Sequence, residues 1–446
     1  MLMDADPWFS YPVKPPIPAI PPLQNGTLRP ADETLAGPAE PTAGRYRKTR
    51  PKFWLHGGGQ VASAKDSTRL AKLGGMLLPL RALEKRAAQA GLTGIPTKVR
   101  QQERLTNADG LAMYQTEDLS LLGVLANEVC ERMHGNVTYY NVNTHVNYTN
   151  WCNRFCGFCA FQRRPGDDGA YCLSPDEVEQ ELKDTNPEAT EVHMVGGVWP
   201  ALGYEYFLDI LRAAKRGRPD IHVKAYTMVE VDEIIRLANK PISEVLEDLK
   251  EAGLDSMPGG GAEIFSERVR QKIYPKKMGA ARWLELAEAI HQHGFRTNCT
   301  MLYGMIETLE ERMEHLAELR KLQDKTNGFQ TYIPLAFHPE NTPELSHLPF
   351  PGPTERLRSI AIGRLFLDNI PNIKAYWIMM GLPVAQLALS FGANDLDGTV
   401  SQEKVYHDAG ASTPENLDRA RILQLIQEVG RRPAERDTLY RTLQAH

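Results

Sequence analysis

The chain has 446 residues and only six cysteines. That is too few for a disulfide scaffold in a chain of this length. It also lacks long apolar runs: Met76-Leu77-Leu78-Pro79-Leu80 is the best candidate and falls far short of a membrane span. Neither sign of charge dominates, with 51 Lys and Arg against 56 Asp and Glu and a formal net charge of −5. An electrostatic grip on nucleic acid or anionic lipid therefore finds no support. The start, Met1-Leu2-Met3-Asp4-Ala5-Asp6, has no basic segment leading into an apolar core and does not read as a secretory signal. Together these absences predict a cytoplasmic protein with neither nucleic acid nor membrane as a partner.

Proline is concentrated at one end. Ten of the first 50 residues are prolines, which favours extended conformations and offers little to bury, so residues 1–50 are expected to form a disordered tail. Residues 51–103 read as an extension of unclear role, partly helical, with Gly57-Gly58-Gly59 as punctuation and helical spacing from Leu80 to Ala90.

From residue 104 to 411 strand-length runs alternate with amphipathic helical stretches. The expected strands are Tyr139–His145, Glu191–Val195, His222–Tyr226, Leu254–Met257, Thr297–Tyr303, Gln330–Ala336, Lys374–Met379 and Asn394–Gly398. Helices begin at readable signals, such as Ser174-Pro175-Asp176-Glu177, a capping box with proline at the first helical position. Eight strands with intervening helices predict an α/β fold, a TIM-type (β/α)8 barrel that is closed or partly open. Residues 412–446 are expected to be a C-terminal helical segment. In such a barrel chemistry gathers on the loops that follow the strands. The unusual motifs of this chain all stand there, from the cysteines after the first strand to Asp395-Leu396-Asp397 at the eighth.

Cys152, Cys156 and Cys159 crowd half of the cysteines into eight positions, spaced C-x3-C-x2-C. Thiolates suit zinc or iron–sulfur clusters. A structural zinc site wants four ligands, usually as two separated pairs. A [4Fe–4S] cluster on three thiolates instead leaves one iron open to a substrate or cofactor.

This spacing, with Phe158 before the last cysteine, resembles the signature of radical S-adenosylmethionine (SAM) enzymes. The resemblance implies a [4Fe–4S] cluster on the three cysteines, with SAM on the open iron. It also implies a SAM-binding role for Phe158 and for Gly196 and Gly197 after the second strand, where Val198 replaces the common acidic residue. Longer strings, "YYNVNTHVNYTNWC", "PGGGAEIF", "TMLYGMIET", "IPLAFHPENTP", "IKAYWIMMG" and "GANDLDGTV", are similar to the aminofutalosine synthase family of menaquinone biosynthesis, from about Arg104 to about Ala411. That family adds the 5′-deoxyadenosyl radical to 3-[(1-carboxyvinyl)oxy]benzoate, giving 6-amino-6-deoxyfutalosine, methionine and CO2 or bicarbonate. Flavodoxin or ferredoxin is the implied reductant. Trp199 and Met305 stand where the family more often has histidine.

Among candidate side chains, Glu230 is expected at the end of the third strand, accepting from ribose hydroxyls. Gly259, Gly260 and Gly261 precede a helix expected near Ala262, whose free amides and dipole would favour a carboxylate. Glu263 would stand in its first turn. His338 is a candidate for a carboxylate contact or proton relay. Asn341, Asn147, Thr149 and Asp397 are candidate substrate contacts. His338 and Glu230 are the catalytic candidates beyond the cluster. Two competing readings are a cyclic dehypoxanthinylfutalosine synthase or related hydrogen-abstracting enzyme, and a non-enzymatic iron–sulfur or zinc protein.

Overall fold

The β-branched and aromatic runs pair as parallel strands around a central lumen. The structure is a computed structural model and describes residues 78–446; the proline-rich stretch 1–50 and the glycines Gly57-Gly58-Gly59 lie outside the described residues. In chain order the strands are β1 (Val137–Asn141), β2 (Asn143–Val146), β3 (Glu191–Met194), β4 (His222–Ala225), β5 (Thr297–Tyr303), β6 (Phe329–Ala336), β7 (Asn372–Ile373), β8 (Asp395–Gly398), β9 (Arg432–Arg436) and β10 (Thr442–Ala445).

Strands β2, β3 and β4 pair in parallel, as do β5, β6 and β7. Single bridges Lys224–Ser256 and Met257–Thr297 join these two sheets through the segment expected as the fourth strand. That segment makes one pairing on each side and no more, because Pro258 has no N–H to give and Gly259 turns away at φ +69°. Lys374 bridges to Asp395, β8 pairs with β1, and Ser401 reaches Thr144, so the ring of strands closes.

The helices cover the outside for ordinary reasons. Gly203–Gly217 buries Phe207, Ile210, Leu211 and Ala214 at helical spacing against the sheet. The Ser174 capping box forms as read, with the Ser174 amide donating to Glu177 at 2.7 Å. The helix Leu80–Gln89 lies where the spacing placed one.

Three expectations are corrected. The run Lys374–Met379 is not a strand: β7 ends at Ile373, and Trp377–Met380 forms one helical turn. All four residues of that turn are buried, and an apolar run buried on every side has no period to tell strand from helix. Residues 412–446 are not simply helical. After the helix Arg419–Glu428 the chain forms β9, which runs parallel to β1, and β10, which returns antiparallel. The first strand is broken at Val142: below the break β1 carries β9 on the edge that β2 gives to β3. The turn after β9 then crosses the N-terminal end of the lumen. There Thr438 donates to Glu191 and Tyr440 donates to Asp395, at 2.7 and 2.5 Å.

Candidate active site

The cysteine loop leaves β2 and is held by its own backbone. The Cys152 amide donates to Arg163, the Arg163 amide to Asn150, and the Cys159 amide to Cys156. Gly157 is tied to Ile273 through its amide and to Glu344 through its carbonyl. Cys152, Cys156 and Cys159 all line one cavity of about 180 Å³. Among the described residues no three Cys, His, Asp or Glu side chains close on one point as a single metal ion requires. A cubane presents its irons at separate corners and suits three thiols spread around one cavity. Burial pushes the Cys159 thiol up to about 11, so binding iron there releases a proton.

The loop after β3 lies flat on the cysteine loop because two glycines allow it. A Cβ at Gly197 would fall 2.2 Å from the Trp151 carbonyl, and one at Gly196 2.8 Å from the Tyr148 ring. The Gly197 amide donates to Thr149 and the Asn153 amide to Val198, which stitches the loops together. Phe158 also lines this cavity, edge-on to Tyr274 with Lys277 over its face. The departure Trp199 opens the short turn Pro200–Leu202. Met305 is buried and its amide is held by Glu307.

Glu230 is not at a strand end. It sits in the first turn of the helix Met228–Ala238, fully buried. Its carboxylate accepts from the Tyr148 hydroxyl at 2.5 Å, the Gly196 amide at 3.0 Å, and the Thr227 amide and hydroxyl at 2.7 and 2.6 Å. Four donors use both oxygens, so the expected ribose contact is replaced by a contact that fixes the glycine turn. Burial pushes this carboxyl up from its ordinary value.

The helix expected near Ala262 is absent. The chain stays irregular to Ser266, and the next helix is Glu267–Ile273. The expected anion site at a helix N-terminus is thereby removed. Gly259 meets a different need: a Cβ there would fall 1.7 Å from the Asn298 carbonyl. Gly261 and Glu263 line the cysteine cavity, where the buried Glu263 is ion-paired with the half-buried Lys277.

A second cavity, about 150 Å³, lies in the barrel lumen. Val195, Thr227 and Val405 line both cavities, so the lumen and the cysteine pocket adjoin. Its upper wall is apolar and aromatic, with Ile333, Leu335, Tyr376 and Tyr406; its floor carries His145, His193, Lys224, Lys374 and Asp397. Lys224 pairs with Glu191 at 2.9 Å and Lys374 with Asp397 at 3.0 Å, all four buried. Burial opposes ionisation of Glu191, but Lys224, Arg436 and Lys374 together hold its carboxyl well below the ordinary range. Gly260 lines this cavity as well.

The remaining sequence candidates lie elsewhere. Asn147 is buried and bonds Val195 and Lys404; the Thr149 hydroxyl donates to Tyr171. His338 is held against the Met379 carbonyl at 3.0 Å and packs on Phe350. Asn341 donates to Asp408 in an outer groove beside Arg163 and Arg164. The sequence reading missed His145, His193, Lys224, Lys374 and Lys277. The signal for the first three was a polar residue at every second position of β2, β3 and β4.

Two family models match, the radical SAM superfamily over residues 146–319 and the CofH/MqnC C-terminal region over 326–446. The chain is 47% identical over 354 residues to aminodeoxyfutalosine synthase of Thermus thermophilus, covering 78% of this chain and 95% of that one. It is 37% identical over 351 residues to cyclic dehypoxanthine futalosine synthase of Halalkalibacterium halodurans, covering 78% and 94%. The crystal structure of methylornithine synthase shares the fold, with a TM-score of 0.59 at 18% identity over 76% of this chain and 97% of that one. The three-thiol loop, the glycine turn laid against it and these matches together place the chain in the aminodeoxyfutalosine synthase family of the radical SAM superfamily.

Proposed function

We propose that the chain adds the 5′-deoxyadenosyl group of SAM to 3-[(1-carboxyvinyl)oxy]benzoate, forming 6-amino-6-deoxyfutalosine with loss of methionine and CO2 or bicarbonate, in menaquinone biosynthesis. The observation that carries this reading is the pair of adjoining cavities. One is lined by thiols and glycines, the other is an aromatic-walled lumen with a floor of histidines and lysine–carboxylate pairs, and Val195, Thr227 and Val405 belong to both.

Cys152, Cys156 and Cys159 would hold a [4Fe–4S] cluster, which would supply one-electron reduction to SAM bound beside it. The residues of the chain do the rest. Gly196 and Gly197 give the close backbone approach that a methionyl group needs beside the cluster, with Glu230 fixing the turn. Lys277, Glu263 and Gly261 face the same space. Ile333, Leu335, Tyr376 and Tyr406 give the arene an apolar wall and exclude water from a radical carbon. The expected roles of Asn147, Thr149, His338 and Asn341 become indirect, as residues that position the loops around the site.

No helix among the described residues is long and apolar enough to cross a membrane. A cytoplasmic location and a flavodoxin or ferredoxin as reductant belong to this proposal. The 47% against 37% identity favours radical addition over the cyclisation named for the second relative. The test is anaerobic turnover with reductant, SAM and the enol ether, read by mass spectrometry. A product joining the adenosyl group to the benzoate skeleton is expected. Free 5′-deoxyadenosine without adduct would reject the substrate, and dehypoxanthinylfutalosine would be offered next.

A further inference from the structure

The floor of the lumen holds two histidines whose side chains make no hydrogen bond among the described residues. His145 on β2 and His193 on β3 are register partners, and Lys224 on β4 is the register partner of His193. Three nitrogen-bearing side chains thus stand in one row across three adjacent strands, all lining the same cavity. The imidazoles lie 4.7 Å apart, centre to centre. Lys224 is neutralised from below by Glu191. His145 is only 5% exposed, and its Nε2 is buried without a hydrogen-bond partner among the described residues. An unpaired buried polar group carries a desolvation cost that natural structures rarely leave unanswered.

The row also stands at an informative height. Val195, which borders the cysteine cavity, lies just past the end of β3 and two residues beyond His193, roughly 6–7 Å further toward that cavity. That gap is comparable to the width of a benzene ring. A substrate whose vinyl group points at the cysteine cavity therefore carries its opposite end down to the histidines. In the substrate proposed above, that end is the ring carboxylate.

Resting on that reading of the reaction, we propose that His145 and His193, with Lys224 beside them, form the subsite that binds the ring carboxylate of the aromatic substrate. His193, the more open of the two rings, meets the carboxylate, with the buried His145 ring packed beside it at 4.7 Å. Both rings are held mostly neutral by burial, and His193 further by its neighbour, so His193 acts as an N–H donor.

The experiment compares two compounds on the reconstituted holoenzyme: the enol ether of 3-hydroxybenzoate, and the phenyl enol ether that lacks the ring carboxylate. A lost hydrogen bond to a charged group corresponds to roughly 10- to 100-fold in affinity, so wild type should show KM values separated by about that factor. In His193→Phe, which keeps the ring volume, KM for the carboxylated compound should rise toward that of the phenyl compound. KM for the phenyl compound should stay put, and kcat should change far less. Thermal stability of His145→Phe should be equal or higher, because its Nε2 has no partner to lose. A His193→Phe enzyme that keeps the wild-type KM ratio, or that loses stability with the ratio intact, would overturn the subsite and leave the reaction standing. A wild-type enzyme that cleaves SAM but joins it to neither compound would overturn the substrate itself, and this assignment with it.

Discussion

The Glu230 carboxylate accepts the Gly196 amide at 3.0 Å. One buried acid on the helix after β4 thereby sets the turn that lies against the cysteine loop. Glu230→Gln keeps the shape but puts an amide NH2 where a carboxylate oxygen took hydrogen bonds from two donors. A buried donor left unsatisfied costs about 1–3 kcal/mol, so the variant should lose roughly 2–3 kcal/mol of stability. SAM should bind about 10-fold more weakly while iron content is retained. Unchanged SAM affinity, measured by equilibrium binding, would mean that the turn holds itself.

The three thiols of the loop should act as a unit. Replacing Cys152, Cys156 or Cys159 with Ala should each abolish cluster-dependent turnover and reduce iron content and brown absorbance. Cys130→Ala should keep both, because Cys130 is buried in the outer helix Leu119–His134 and its thiol faces the Ala393 carbonyl. Equal iron content in all four variants would remove the assignment of the cluster ligands.

Arg436 on β9 and Asp395 on β8 form a fully buried pair at 2.7 Å. Removing one partner leaves the other charge uncompensated, which typically costs about 3–5 kcal/mol. Arg436→Ala should fall at the low end, since Tyr440 and the Asp397 amide still donate to Asp395. Chemical denaturation gives the measurement; a loss below about 1 kcal/mol would show that the C-terminal strand is dispensable to the barrel.

His407, in the turn that follows the shared lining residue Val405, should make stability depend on pH on the alkaline side. Its Nδ1 donates to Glu403 and its Nε2 to the Thr413 carbonyl. The hydrogen bond to Glu403 raises its pKa from 6.5 to about 9. Because the folded value is raised, the contribution is fully present below about pH 6.5 and is lost as pH rises through about 9. Amide exchange of residues 403–411 should therefore accelerate between pH 7 and 9 beyond its intrinsic rise, and His407→Gln should flatten that excess. Identical profiles for the two proteins would refute the linkage.

Much of the barrel was legible because its signals are local. The Ser174 capping box, the helical spacing of Gly203–Gly217 and the β-branched runs of β3 to β6 each depend on neighbours within one turn or one pleat. The cysteine loop was legible for the same reason, since close spacing brings its three thiols to one cavity. Trp377–Met380 was misread because complete burial erases period, and Glu230 because strand and helix meet within three residues.

What the sequence by itself determined is therefore the chemistry and the order of the elements: three thiols on one loop, a glycine pair on the next, and strands that alternate with helices. Only the tertiary structure decided which residues face the lumen. His145, His193 and Lys224 are separated by 48 and 31 positions in the chain, and the alternation within each strand does not say that the three meet. They meet because three parallel strands align in register and turn alternate side chains inward. The same holds for the floor beneath them. Arg436 and Thr438 reach Asp395 and Glu191 only because the broken first strand at Val142 leaves an edge for β9 to fill.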